Sequence, residues 1–298
     1  MKSVLVTGAA GFLGREVVKQ LRMADCEVIP VDNLEPLCGS SSDCDSELMY
    51  ADVTGAANWT WKPTHIIHLA AIGRNLTCEE NPARAFQVNV DGTQQILEFG
   101  KQCGAETIVC SSNIVLSDQE TTYRMTKRTA EELVRIYARN YPAMVLRPSN
   151  IAGRGQSRTE FQPCAFASMD KSFEENGFIA ITGNGRQLRD FVNVKDVARA
   201  FLMALDKMVP GVCLDICTGN RVTLLNVMDF LGVSFKFVSE RPGDAKDLVS
   251  DPKPAWDLLR FQSQITFPET IADSFPAVMR AQASRVNQQL QEGPGERS

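Results

Sequence analysis

Histidine is almost missing from this sequence, with two in 298 residues, too few to build an imidazole-based metal centre. Cysteine is present nine times, but no doubled CxxC occurs, and the closest pairs, Cys213/Cys217 and Cys38/Cys44, have no companion histidines. An odd number of scattered thiols predicts reduced side chains and no metal. There is no block of Lys or Arg. Thirty-one basic residues face 36 acidic ones, for a net charge of −5, which excludes a bulk electrostatic grip on nucleic acid or an anionic membrane. Any phosphate must be held locally. No apolar run reaches 18 residues, so no membrane helix is expected. The opening run Lys2-Ser-Val-Leu-Val-Thr7 reads as a strand rather than a leader, and the expected location is the cytoplasm. Internal repeats are missing as well, and the composition excludes collagen, coiled coil and wholesale disorder.

What is there suits a large α/β protein: 44% apolar and 22% charged residues, at a length that fits one large unit or two intimate lobes. Short β-branched runs at Ser3 to Val6, Glu27 to Val31, Ile66 to Leu69, Thr107 to Cys110 and Met144 to Leu146 predict strands. Between them, Leu13, Val17 and Leu21, then Ala85, Phe86, Val90 and Ile96, mark helix faces. This alternation predicts a Rossmann-type, doubly wound parallel sheet. Asn81-Pro82 reads as a helix start and Gly104 as its end. Beyond residue 150 the pattern turns irregular and glycine-rich, as in Gly153-Arg-Gly155 and Gly183-Asn-Gly185. The expected division is a dinucleotide-binding domain over 1–150 and a smaller C-terminal α/β substrate lobe over 151–283, with part of 190–215 returning to the first domain. A disordered tail is expected over 284–298. Gly39 to Ser46 reads as an exposed loop.

Gly8-x-x-Gly11-x-x-Gly14 joins the first strand to the first helix. Glycines there permit a tight turn, close approach of a pyrophosphate to backbone N–H groups, and helix packing on the sheet. Eighteen residues past Gly14, Asp32 ends the second strand, where a carboxylate can accept both hydroxyls of a ribose. No arginine stands beside it to welcome a 2′-phosphate, so NAD is expected rather than NADP. Tyr123 and Lys127, four apart, share one helix face. The neighbouring positive charge is expected to lower the tyrosine pKa and fit the phenol for proton transfer.

In these motifs the chain resembles the extended short-chain dehydrogenase/reductases, in particular the NAD-dependent nucleotide-sugar epimerase/dehydratase group, from Val4 to Leu259. The resemblance implies cofactor contacts from Gly8, Gly11, Phe12, Leu13 and Gly14 in the phosphate loop, and from Asp32 and Asn33 of the Asp32-Asn33-Leu34 strand ending. It adds Asp52 and Val53 at the adenine, Leu69, Ala70 and Ala71 of the His68-Leu-Ala-Ala71 motif, Asn89 of Asn89-Val-Asp-Gly-Thr93, and Pro148. Ser112 matches the group's catalytic serine, with Tyr123 as acid/base and Lys127 also holding the nicotinamide ribose. Asn150, after Arg147-Pro-Ser, is expected at the substrate diphosphate together with Arg189, which a planar guanidinium fork suits. Arg241 of Arg241-Pro-Gly-Asp244 is expected on phosphate and Asp244 on a ribose hydroxyl.

Two departures stand out. Only ten residues separate Ser112 from Tyr123, fewer than the group usually carries, and Leu116-Ser117 replaces a common Tyr-Gly pair. Related dehydratases place an Asp-Glu pair after the catalytic hydroxyl, where this chain has Asn113 and Ile114. Dehydration and decarboxylation are therefore disfavoured. The expected reaction is epimerisation of a nucleoside-diphosphate sugar at C4 by transient hydride transfer to NAD, in a homodimer. A nucleotide-sugar ketoreductase or dehydrogenase is the alternative; a non-catalytic NAD-binding regulator would be expected to have lost Ser112, Tyr123 or Lys127. His65, His68, Arg74, Arg154 and Arg158 read as structural or solvated residues, and Trp59 and Trp61 as a cover for the sheet edge.

Overall fold

The computed structural model describes residues 1–35, 45–156, 165–239, 247–248 and 250–291. The N-terminal half runs β1 (Ser3–Thr7), α1 (Phe12–Met23), β2 (Glu27–Asp32), β3 (Met49–Tyr50), β4 (His65–His68), α2 (Asn75–Glu80), α3 (Pro82–Phe86), α4 (Gly92–Cys103), β5 (Glu106–Cys110), α5 (Thr122–Tyr137) and β6 (Ala143–Pro148). It continues through β7 (Asn150–Ala152), α6 (Ala165–Asn176), β8 (Ile179–Thr182), β9 (Phe191–Asn193), α7 (Val194–Ala204), β10 (Cys213–Ile216), α8 (Leu224–Leu231) and β11 (Phe235–Val238). It closes with α9 (Lys253–Leu259), α10 (Phe267–Ser274) and α11 (Pro276–Gln291).

Seven parallel strands form the main sheet in the order β10-β6-β5-β4-β1-β2-β3. The order reverses between β1 and β4, and in such sheets ligands enter the crevice beyond the carboxyl ends at that point. β1 reads as a continuous apolar run, Val4, Leu5 and Val6, because both of its faces are covered and no residue there is exposed. Leu13, Val17, Val18 and Leu21 of α1 recur at helical spacing and seat one face of that helix against Val4 and Val6, with Val197 and Phe201 of α7 in the same core. On the other side, Val88, Ile96 and Phe99 cover Leu5 and Ile66. Trp59 stacks edge-on against both Trp61 and Phe99, at 5.0 and 5.6 Å between ring centres, so the two tryptophans pack under α4.

The Asn81 side chain caps α3 by accepting from Arg84 N, and Gly104 ends α4 at φ +75. Between these helices, Gln87–Asp91 widens into a π turn. β10, from far along the chain, adds the outermost strand beside β6, in register Cys213↔Val145 to Ile216↔Pro148.

The smaller lobe has two parallel pairs, β7 with β9 and β8 with β11. Its own core joins Phe166, Met169, Ile181, Phe191, Met228 and Phe275, all buried. Contrary to the expected tail from Ser284, α11 stays helical to Gln291. Val278 is fully buried, and the buried Asp170 carboxylate accepts from the N–H groups of Ala277 and Val278 at the helix start. A carboxylate at a helix N-terminus is stabilising there. The predicted loop Gly39 to Ser46 lies outside the described residues up to residue 44.

Candidate active site

The crevice begins at Gly8, which ends β1 with φ +69, a left-handed conformation open to glycine. A Cβ at Gly8 would lie 2.7 Å from Ala70 N, and one at Gly14 would lie 2.0 Å from Gly8 O. Side chains would therefore fill the cradle and push α1 off the loop. Gly11, the N-cap of α1, supplies no side-chain cap, so the helix start presents its N–H groups and positive dipole end to an anion. Phe12 and Leu13 begin the helix behind it. The donor set and the room fit a dinucleotide pyrophosphate.

Asp32 ends β2 with one oxygen accepting from Ala10 N at 3.0 Å and the other from Leu34 N at 2.8 Å. This turn holds Leu34 at φ +58, a backbone region that costs a leucine about 1 kcal/mol or more. Asn33 donates to Asp52, whose carboxylate also receives Thr54 N–H and Arg84. Burial pushes Asp52 up, but the hydrogen bonds from Thr54, Asn33 and Arg84 outweigh it and hold the carboxyl at about 2. Val53 lies under Gly92, where a Cβ would come within 2.7 Å of it. Leu69 N and Ala70 N donate to Thr7 at 3.2 Å each, fixing the segment through Ala71 beside the phosphate loop.

Asn89, buried in the π turn, clamps the backbone of Ile72 with both ends of its amide, at 2.8 and 3.1 Å. Its amide nitrogen also donates to Thr126 Oγ1 at 3.0 Å, next to Lys127. Asn89 thus ties the β4 ending to α5. His68 is buried between Thr7 Oγ1 at 2.7 Å and Thr93 Oγ1 at 3.2 Å. Burial, with the Lys127 charge nearby, lowers it to about 3, so it stays neutral. His65 sits at the opposite end of β4, against Thr64 and Glu106.

Ser112 follows β5 and caps the short 3-10 turn Asn113–Leu116 by accepting from Ile114 N. Its hydroxyl lies near that of Tyr123 and favours the ionised form of the phenol. Lys127 is buried and donates from Nζ to Cys110 O at 3.0 Å. The expected lowering of Tyr123 is not what the environment produces. Burial, joined by Cys110, pushes the phenol above its ordinary value, while the Ser112 hydroxyl and the Arg74 charge pull weakly the other way. Burial likewise lowers Lys127. Desolvation wins because the phenolate has lost its water.

At the end of β6, Arg147 grips Glu131 of α5 with Nε and Nη2 at 2.8 and 2.6 Å and faces Asp215 at 3.7 Å. Asp215 in turn accepts from Asp251 N at 3.1 Å. Leu248 packs with Tyr123, Ile114 and Val115. Ser250 meets Ser149 at 3.0 Å and Asn113 at 3.5 Å. No sequence motif announced these contacts of Leu248, Ser250 and Asp251. Pro148 is buried at the end of β6. Asn150 heads β7, its buried Oδ1 without a hydrogen-bond partner among the described residues. Arg189 forms a backbone bridge with Val222 and donates from Nη1 to Leu188 O. Asp190 is turned inward, accepting from Thr218 and Gly219 N–H groups, and anchors the loop after β10. Arg241, Asp244 and Arg158 lie outside the described residues. Arg154 is exposed, with Nε 4.0 Å from Asp273. Among the described residues no group of His, Cys, Asp or Glu could hold a metal, and no helix is long and apolar enough to cross a membrane.

The model of the NAD dependent epimerase/dehydratase family matches residues 4–217. The chain belongs to that family. Among relatives of this epimerase/dehydratase, dTDP-L-rhamnose 4-epimerase of Burkholderia thailandensis is 26% identical, over 87% of this chain and 92% of that one. GDP-6-deoxy-D-talose 4-dehydrogenase of Aggregatibacter actinomycetemcomitans is 25% identical, over 76% and 78%. The crystal structure of UDP-glucose 4-epimerase with UDP-glucose from Thermotoga maritima superposes with TM-score 0.85 at 23% identity, over 94% of this chain and 99% of that one. MoeE5 in complex with UDP-glucuronic acid and NAD gives TM-score 0.81 at 26% identity, over the same shares. This family member is thus an NAD-dependent enzyme of the extended short-chain dehydrogenase/reductase type.

Proposed function

We propose that the chain inverts C4 of a nucleoside-diphosphate sugar, with Ser112, Tyr123 and Lys127 as catalytic residues. The observation that carries this reading is the Ser112 hydroxyl beside the Tyr123 phenol, with Lys127 buried one turn on in the same helix, and amide and alkyl side chains, Asn113 and Ile114, where elimination would need a carboxylic acid and a carboxylate. When bound, NAD supplies a reversible hydride acceptor and, oxidised, a positive charge in the site. Gly8, Gly11 and Gly14 hold its pyrophosphate, Asp32 its adenosine ribose, Asp52 and Val53 its adenine, and Lys127 the nicotinamide ribose. The Tyr123 phenol must first lose its own proton to solvent; as the phenolate, its oxygen takes the proton of the sugar hydroxyl and later returns it. Ser112 donates a hydrogen bond to the oxygen that becomes the ketone. Asn150, Arg189, Arg241 and Asp244 grip the substrate diphosphate and ribose.

The finer assignments belong to the same proposal: a nucleotide-binding domain over 1–150, a substrate lobe over 151–283, a homodimer and a cytoplasmic location. The outer face of α5, with Met125, Thr129, Glu132 and Ile136 exposed at helical spacing, supports a homodimer surface. The dehydrogenase reading is supported by the GDP-6-deoxy-D-talose 4-dehydrogenase relative. Incubation with UDP-, dTDP- and GDP-sugars separates the two, following products by NMR and reduced nicotinamide by absorbance. Epimerisation yields two interconverting sugars with no net NADH; stoichiometric NADH formation or consumption overturns it in favour of a dehydrogenase.

A further inference from the structure

Tyr123 stands in the first turn of α5, directly after Thr122, the residue that opens the helix. First turns fray, because their N–H groups have no intrahelical partner. A catalytic phenol placed there needs an outside support, and the shortened connection from Ser112 leaves little chain to supply one. The helix provides part of it: Thr121 caps the turn by accepting from Arg124 N at 3.2 Å. The rest comes from α2, which lies across the helix start. Glu79 accepts from Thr122 N at 2.7 Å with one oxygen and from Thr122 Oγ1 at 3.0 Å with the other. Thr121 Oγ1 donates to Asn75 Oδ1 at 3.2 Å, one helical turn before Glu79. Cys78, between them, is fully buried and fastens α2 to the β4 ending through Ile72 O.

The arrangement has electrostatic as well as geometric content. A carboxylate on the terminal N–H groups satisfies an orphan donor and opposes the positive end of the helix dipole. Glu79 and the neighbouring Glu80 are both exposed, and only Glu79 bonds to Thr122. We propose that Glu79 is a positioning residue: its two-point grip on Thr122 holds the first turn of α5 closed and so fixes where the Tyr123 phenol stands. In this chain α2 does the work that a longer loop between Ser112 and Tyr123 would otherwise do. The kinetic part of this inference rests on the epimerase reading above; the structural part does not.

The test compares Glu79→Ala, Glu79→Gln and the control Glu80→Ala in the full-length protein. Amide hydrogen exchange over 122–125 reads the first turn directly. Exchange should rise about ten-fold in Glu79→Ala, the loss of one charge-assisted bond at a helix end, and stay near wild type in Glu80→Ala. Glu79→Gln keeps an acceptor oxygen for Thr122 and should restore most of the protection. On a nucleotide sugar, Glu79→Ala should lower kcat about ten-fold while KM and NAD affinity stay within about two-fold, because the residue acts on the position of Tyr123 and not on binding. Unchanged exchange in Glu79→Ala overturns the proposal, as does faster exchange with full kcat. If the wild type turns over no nucleotide sugar, the epimerase reading alone fails, and the exchange rates still decide for or against Glu79.

Discussion

At the scale of single residues, the site is a contest between desolvation and hydrogen bonding. Tyr123 is held neutral by burial, so its role depends on what later enters the crevice. Tyr123→Phe removes one hydroxyl and leaves the packing with Leu248 intact. Turnover should fall by about 10²- to 10⁴-fold with an unchanged melting temperature, checked by kinetics and calorimetry on the same sample. Asp32 is the residue proposed to hold the cofactor's adenosine ribose. A 2′-phosphate would be forced against a carboxylate, so wild-type affinity for NAD should exceed that for NADP, and Asp32→Ala should narrow the gap in titration calorimetry. Because Asp32 also holds Ala10 N, the variant should weaken NAD itself to some degree.

At the scale of elements, strands deliver the site and helix starts finish it. The turn between β1 and α1 has no space for a methyl group at Gly14, where the obstacle is the Gly8 carbonyl and not a yielding side chain. Gly14→Ala should lower NAD affinity at least about ten-fold. Gly55→Ala, where a Cβ meets nothing within 4 Å, should bind NAD as the wild type does. Thermal shift with increasing NAD reads both. The helix from Asn81 to Gly104 was legible at both ends, since a capping asparagine with proline and a terminal glycine carry their own local chemistry. The π turn at Asn89 was not, because it is set by hydrogen bonds to Ile72 and Thr126. The strand β3, Met49–Tyr50, was not, because two residues are too few to show a period and both are exposed at the sheet edge.

At the scale of the whole molecule, stability is tied to acid through groups far apart in sequence. His68 has its folded pKa lowered from 6.5 to about 3. The unfolded chain therefore binds a proton that the fold refuses, and the stability this represents is present above about pH 6.5 and drains away as pH falls toward 3. The slope is at most about 1.4 kcal/mol per pH unit. Asp52, lowered from 3.8 to about 2, adds a second loss that starts only near pH 4. Unfolding free energies measured from pH 7 to pH 4 should fall with the His68 slope, and His68→Asn, though less stable, should flatten that part of the curve.

The sequence by itself determined whatever is local or periodic: the strand and helix alternation, the glycine loop, the acidic end of β2, and the shared face of Tyr123 and Lys127. These follow from backbone sterics and from repeats of two and 3.6 residues, which need no distant partner. Only the tertiary structure decided that α2 caps the start of α5, with Glu79 and Thr122 separated by 43 positions. It also decided that β10 closes the main sheet, that Leu248 lies on Tyr123, and that burial raises the phenol against the pull of nearby positive charge. Each of these depends on which surfaces exclude water from which groups, a property of the packed chain that neighbouring residues do not encode.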